Sequence, residues 1–200
     1  MKKIKTLIVV MMVFAMALSL TVCGSTDSDE VSGIQETEDT SAHSDVLVAY
    51  FSATGTTKGV AEKIAAITSG DLYEIQAAEP YTEDDLDYND SSSRATKEQK
   101  DKDVRPEIGS EDLSLEGYTT LYLGFPIWWG EEPRILDTFV EKYSFEGITV
   151  IPFCTSGSSG IGQSGPNMEA LAGSGTWLDG QRFSGSVTEE DLQSWIEELK

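Results

Sequence analysis

The sequence predicts an α/β fold: an open parallel sheet of five strands, doubly wound by helices on both faces. Three observations carry this. Strand-like and helix-like segments alternate regularly from Asp45 onward. The principal strand segments are apolar throughout rather than at every second residue, the pattern of strands covered on both faces. And the 200 residues, less a removable front end, have the length of one domain. In such a sheet ligands bind beyond the C-terminal ends of the strands.

The first strand is residues 46–51, Val-Leu-Val-Ala-Tyr-Phe. Val60, Ala61, Ile64 and Ala65 then recur at helical spacing. Leu72-Tyr73-Glu74-Ile75 reads as the second strand and residues 119–125 as the third. Ile135, Leu136, Phe139 and Val140 mark a helix with Pro133 near its first turn. Residues 148–154 form the fourth strand, and residues 177–183 a short, weak fifth with Gly180 inside it. Thr188 is a plausible N-cap for the last helix, with Asp191 three residues on and a stripe of Leu192, Trp195, Ile196 and Leu199. The connection 77–118 departs from this economy. Between residues 83 and 112 it carries eleven acids and five bases. The pattern allows a helix around residues 93–102. The rest is expected to be a solvated loop or, alternatively, a partner-docking surface.

Fourteen Lys and Arg against thirty-five Asp and Glu give a net charge of −21. Such a surface repels phosphate backbones, so no nucleic acid is expected, and it is not drawn to anionic lipid. It favours a partner with a basic patch. Two cysteines, Cys23 and Cys154, and one histidine, His43, exclude a disulfide framework and a His/Cys metal cluster. His43 precedes the domain, which excludes a Ser-His-Asp hydrolase.

The front end reads as a targeting segment. Lys2, Lys3 and Lys5 precede an apolar run at residues 7–20, shorter than a bilayer span. Leu20-Thr21-Val22-Cys23 resembles the lipobox of bacterial lipoproteins, although Val22 stands where a small residue is usual. That resemblance implies a signal peptide at residues 1–22, lipidation of Cys23 and an extracytoplasmic domain held to the membrane through the lipid anchor only. An ordinary secretory signal or an uncleaved anchor are the alternatives. Residues 23–44 form a tether rich in Ser, Thr and acids. It is too polar to offset its ordering entropy and is expected to be disordered, spanning roughly 25 Å. Residues 45–200 are the domain.

Three loops follow strand ends. Ser52-Ala53-Thr54-Gly55-Thr56-Thr57 offers hydroxyls and backbone N–H groups at a helix N-terminus, a neutral cradle for an anion. It is neither a Walker A loop nor a Gly-x-Gly-x-x-Gly turn. Merely capping the helix is the simpler role for these hydroxyls. Gly124-Phe125-Pro126-Ile127-Trp128-Trp129-Gly130 places two tryptophans past the third strand, either packed in the core or presented to a flat ligand. Cys154-Thr155-Ser156-Gly157-Ser158-Ser159-Gly160-Ile161-Gly162 lets backbone approach a ligand edge. Cys154 lacks the arginine of a Cys-x5-Arg phosphatase, and no basic group lies nearby to activate it, so it reads as inert.

Together these loops resemble those of the flavodoxin family. The phosphate loop of that family, Ser/Thr-x-Thr-Gly-x-Thr, is matched by Ser52, Thr54, Gly55, Thr56 and Thr57. The resemblance implies strand order 2-1-3-4-5 and FMN as cofactor. Its phosphate would lie in the first loop, Trp128 or Trp129 would stack on the ring within the loop of Pro126, Ile127 and Gly130, and the backbone at Thr155, Ser156, Gly157, Ser158 and Gly160 would meet the pyrimidine edge. Many flavodoxins cover the flavin with both a Trp and a Tyr, and the loop after the fourth strand has no aromatic. The implied function is electron transfer to or from a redox protein with a basic patch or a quinone-like small molecule, without catalytic residues of its own. A flavin-dependent NAD(P)H or quinone reductase, and a non-redox surface binding module, are the alternatives.

Overall fold

The computed structural model describes residues 44–199. The expected signal peptide, Cys23 and the expected tether up to His43 lie outside them. The elements run β1 (Val46–Tyr50), α1 (Thr56–Thr68), β2 (Asp71–Glu74), α2 (Arg94–Lys100), β3 (Thr120–Pro126), α3 (Arg134–Lys142), β4 (Thr149–Thr155), α4 (Ser164–Ala172), β5 (Thr176–Trp177), β6 (Gln181–Phe183) and α5 (Glu189–Glu198). The sheet is parallel throughout, in the order β2-β1-β3-β4-β5, with β6 also on β4.

Successive side chains of a strand point to opposite faces, and the apolar runs of the central strands accordingly feed two cores. Leu47, Ala49, Leu121, Leu123 and Val150 pack with Ile135, Leu136, Phe139 and Val140 of α3. Val48, Tyr50, Tyr122, Ile151 and Phe153 pack with Val60, Ala61 and Ile64 of α1 and with Leu192 and Ile196 of α5. Thr188 caps α5 as its sequence implies, its hydroxyl accepting from the Asp191 N–H at 3.1 Å.

Two expectations are corrected. The fifth strand is two pieces, broken at residues 178–180. β5 pairs as far as Val150 and β6 begins at Phe153, so the break lies opposite Ile151 and Pro152. Pro152 has no N–H to give to a ladder. A helix absent from the sequence reading, α4, covers Met168 against the core. Its start in Ser-Gly-Pro and its thin apolar stripe hide it from periodicity.

The helix allowed around residues 93–102 is present as α2, and the rest of the connection 77–118 is largely exposed loop that is nonetheless tied to the domain. Its base is closed by backbone bonds from Ala78 N–H to Glu107 O and from Gly109 N–H to Gln76 O, both 2.8 Å. Within it Ser93 caps the short α2, which buries Ala95, Thr96, Glu98 and Gln99. Tyr81 packs edge-on to Trp128, ring centroids 5.0 Å apart. Its hydroxyl donates to Glu98 at 2.6 Å while Arg94 lies over its ring. Charges that look solvated in the sequence are in part paired inside the segment.

Gly124 sits in β3 directly across from Phe153 of β4. A Cβ there would lie 2.2 Å from the Phe153 ring, and that ring has no exposed area into which to move. Gly124→Ala should therefore lower stability by roughly 1–3 kcal/mol or more, read as a reduced urea midpoint at unchanged slope.

Candidate functional site

The loops after β1, β3 and β4 converge at the C-terminal edge of the sheet around a cleft of about 420 Å³. Of the residues singled out in the sequence, Thr54, Thr56, Pro126, Ile127, Trp128, Thr155, Ser156 and Gly157 line it, and Leu86, Tyr88, Ser184 and Gly185 join them. The others border it or lie beyond. Gly55 opens α1 with φ 84°, a backbone conformation that suits glycine. Thr57 is buried and bonds the buried Thr155 hydroxyl at 2.8 Å, tying the first loop to the third. Ser158 and Gly160 are exposed outside the cleft.

The first loop meets the requirements of an anion. No side chain caps α1, and its first turn contains no acid, so its leading N–H groups are unclaimed by a carboxylate. The Ser52 hydroxyl, buried at the start of the loop, has no partner among the described residues. A phosphate would satisfy these donors without any Lys or Arg. The cradle fits the FMN phosphate, and the simple capping role does not account for it.

The two tryptophans part company. Trp128 is 4% exposed, edge-on to Phe51 and Tyr81, and belongs to the core although its edge reaches the cleft. Trp129 is 52% exposed. Trp128 and Glu131 bond each other's backbone, at 2.9 and 3.1 Å, around Trp129 and Gly130. Both central residues have positive φ, 54° and 86°, the geometry of a type I′ turn. That turn points a bulky ring outward at a cost in backbone strain. Beside Trp129, at 5.6 Å between centroids, stands Tyr88 from the 77–118 connection. A second aromatic thus stands at the cleft from a different segment, but it packs against Trp129 itself rather than facing it across a gap. Its signal in the sequence is a lone tyrosine in an acidic stretch, too weak to find.

Behind this turn lies a buried charged cluster. The Gln99 amide of α2 donates to Trp128 O at 2.9 Å and Glu132 O at 3.1 Å. The buried Arg134 meets Glu131 at 2.6 Å, Asp137 at 3.3 Å and Glu132 at 3.6 Å. Arg134 holds the Glu131 carboxyl below its usual range, whereas burial raises Glu132. Burial and the Glu132 charge push Asp137 up to about 6, against the pull of Arg134 and Arg105.

Near the end of β4, burial pushes the Cys154 thiol up to about 12, which agrees with an inert cysteine. The structure corrects one point. A base does lie nearby, since Arg182 of β6 stands in register with Cys154, and its charge draws the thiol the other way. Among the described residues no group of three or more His, Cys, Asp or Glu side chains is arranged to hold a metal. Nor is any helix among them long and apolar enough to cross a membrane.

Residues 45–199 match the family model described as Flavodoxin. A candidate flavoprotein of Bacteroides uniformis ATCC 8492 is 43% identical, covering 78% of this chain and 99% of its own, with a TM-score of 0.73. Another from Bacteroides eggerthii DSM 20697 is 42% identical, covering 77% and 96%, with a TM-score of 0.72. A flavoprotein from Lactobacillus acidophilus NCFM, solved in complex with FMN, shares the fold at 22% identity, covering 76% and 97%, with a TM-score of 0.58. No curated protein matches the chain.

A carboxyl raised in the folded state holds its proton more tightly there than in the unfolded chain. For Asp137, stability is therefore lost as the pH rises from about 4, the unfolded value, through about 6. Asp137→Asn cannot ionise, so its melting temperature should gain on that of the parent as pH is raised from about 4 to about 7. A difference that stays constant across this range would show that Asp137 titrates in the fold as it does in the unfolded chain.

Proposed function

The chain belongs to the flavodoxin family, and on that premise we propose that it binds FMN and carries electrons for a partner outside the cytoplasm. One observation carries the reading: the uncapped, hydroxyl-lined N-terminus of α1 opens at the cleft that Tyr88 lines and beside which Trp129 stands. The Lactobacillus relative, solved in complex with FMN, supports the choice of flavin.

Bound FMN would supply reversible uptake of electrons. The chain supplies the setting. Ser52, Thr54 and Thr56, with the first N–H groups of α1, hold the phosphate. Trp129 stacks on the ring and Tyr88 borders it, while Trp128 serves as the packed base of the turn. The backbone of Thr155, Ser156 and Gly157 meets the pyrimidine edge. The net charge of −21 raises the cost of adding negative charge to the ring, which lowers the potential relative to free FMN. The acidic surface suits a redox protein with a basic patch, and a quinone-like small molecule is the other candidate.

Purified protein should show visible flavin absorption, or acquire it when FMN is added; its absence sinks the reading. Thr54→Val combined with Thr56→Val should weaken FMN roughly tenfold or more while sparing riboflavin, because hydrogen bonds to a charged group are worth about 1.5–3 kcal/mol each. Equal losses would place the phosphate elsewhere. In the same titration Trp129→Ala should lose a stacking contact of about 1 kcal/mol, and Trp128→Ala should chiefly lower folding stability.

The location proposed from the N-terminal sequence, with Cys23 lipidated, has its own test. Cys23→Ser should move the protein out of the membrane fraction with its flavin spectrum intact. Retention in that fraction would instead indicate an uncleaved anchor.

A further inference from the structure

We propose that Arg182 is a positioning residue for the ligand edge of the cleft, and that its charge favours the reduced, negatively charged form of a bound flavin. The inference rests on the FMN reading above and adds the control of its potential.

The chain has four arginines, all among the described residues. Arg94 meets Glu98 at 2.7 Å, Arg105 meets Glu141 at 2.7 Å and Arg134 meets Glu131 at 2.6 Å. Arg182 has no carboxylate within 4.0 Å among the described residues, in a chain with thirty-five acids. Its donors go to one loop instead. Nη2 donates to Ser156 O and Gly157 O, both at 2.6 Å, and Nε donates to the Ser156 hydroxyl at 3.2 Å. Ser156 and Gly157 line the cleft. The sheet dictates this placement, because β6 runs beside β4 with Arg182 level with Cys154, one residue before β4 ends at Thr155.

Two consequences follow. A trans peptide directs its C=O and its N–H to opposite sides. Turning the carbonyls of Ser156 and Gly157 toward Arg182 therefore turns the N–H groups of Gly157 and Ser158 away from it. Neither N–H has an acceptor among the described residues. Gly157, which lines the cleft, thus offers a donor rather than an acceptor where the pyrimidine edge would lie, whereas Ser158 stands outside it. The second consequence is the charge itself. Two electrons and one proton taken up by FMN leave one net negative charge on the ring, and a guanidinium with no carboxylate partner, one peptide behind the cleft lining, lowers the cost of that charge. The acidic surface acts in the opposite direction. However, charges more than about 8–10 Å away through water are largely screened at physiological salt, and Arg182 is closer than that to the lining it holds. Its field is already felt at the end of β4, where it draws the Cys154 thiol down against burial. The local cation therefore offsets part of what the net charge would do to the potential.

The test uses the full chain as parent, R182Q and R182K. For each, the affinity for oxidised FMN is measured by fluorescence quenching, and the midpoint potential by titration with dithionite as electron donor against an indicator dye. R182Q should lose about tenfold in affinity for reduced relative to oxidised FMN, a midpoint about 30 mV lower for a two-electron couple. R182K keeps the charge without the fork, so it should bind both forms more weakly and alike, with its midpoint unmoved. If R182Q does not fold, R182K alone decides, because the same midpoint drop in R182K overturns the proposal. So does an unchanged midpoint in R182Q. A parent that binds no FMN overturns the functional reading itself, an outcome distinct from a flavin-loaded parent whose potential ignores Arg182.

Discussion

The three central strands β1, β3 and β4 have no face left for water, and the rest of the molecule answers to that constraint. A parallel sheet buried on both sides needs a covered crossover between every pair of strands. Each crossover here returns a helix to one of two cores, built on alternate residues of the same strands. The same geometry gathers the loops leaving β1, β3 and β4 at one edge. Residues 52–57, 126–130 and 155–157 are therefore neighbours because of burial requirements far from them. The hydrogen bond between Thr57 and Thr155 marks the result, joining two loops that are 98 residues apart in sequence.

Much of this is legible in the chain before folding. Strands 46–51, 119–125 and 148–154 stand out because double burial leaves them uniformly apolar, and the phosphate-type loop stands out because four hydroxyls in six residues follow such a strand. What escapes is of two kinds. Some elements carry little periodic signal: α4 begins in Ser-Gly-Pro, and the last strand is divided by Pro152, which lies in another strand. Other features depend on which distant segments meet. Tyr88 reaches Trp129 only because residues 77–109 close on themselves, and Arg182 reaches Ser156 only because β6 pairs with β4. The choice between Trp128 and Trp129 is likewise a tertiary fact. Two adjacent tryptophans read alike until the turn sends one inward and the other out.

The polar interior is concentrated where the site needs support. Arg134 with Glu131, Glu132 and Asp137 sits beneath the Trp129 turn, and Gln99 binds that turn from α2. A buried ionic cluster is a poor source of stability compared with apolar packing. It does fix one arrangement, because displacing any member leaves its neighbours uncompensated. A ring held at positive φ benefits from such a base.

The interruption of the outer strand by Pro152 has a meaning for how molecules meet one another. A sheet edge is a row of unused backbone donors and acceptors, an invitation for a strand from a second chain to extend it. On this side the edge consists of two residues of β5 and three of β6, separated by a gap. On the other side β2 has four residues, with Asp71 and Glu74 at its ends. Neither edge offers a flat template of ordinary strand length. The chain can therefore be crowded to high local concentration without its sheets adding to one another, and self-association through cross-strand pairing is discouraged by the fold itself.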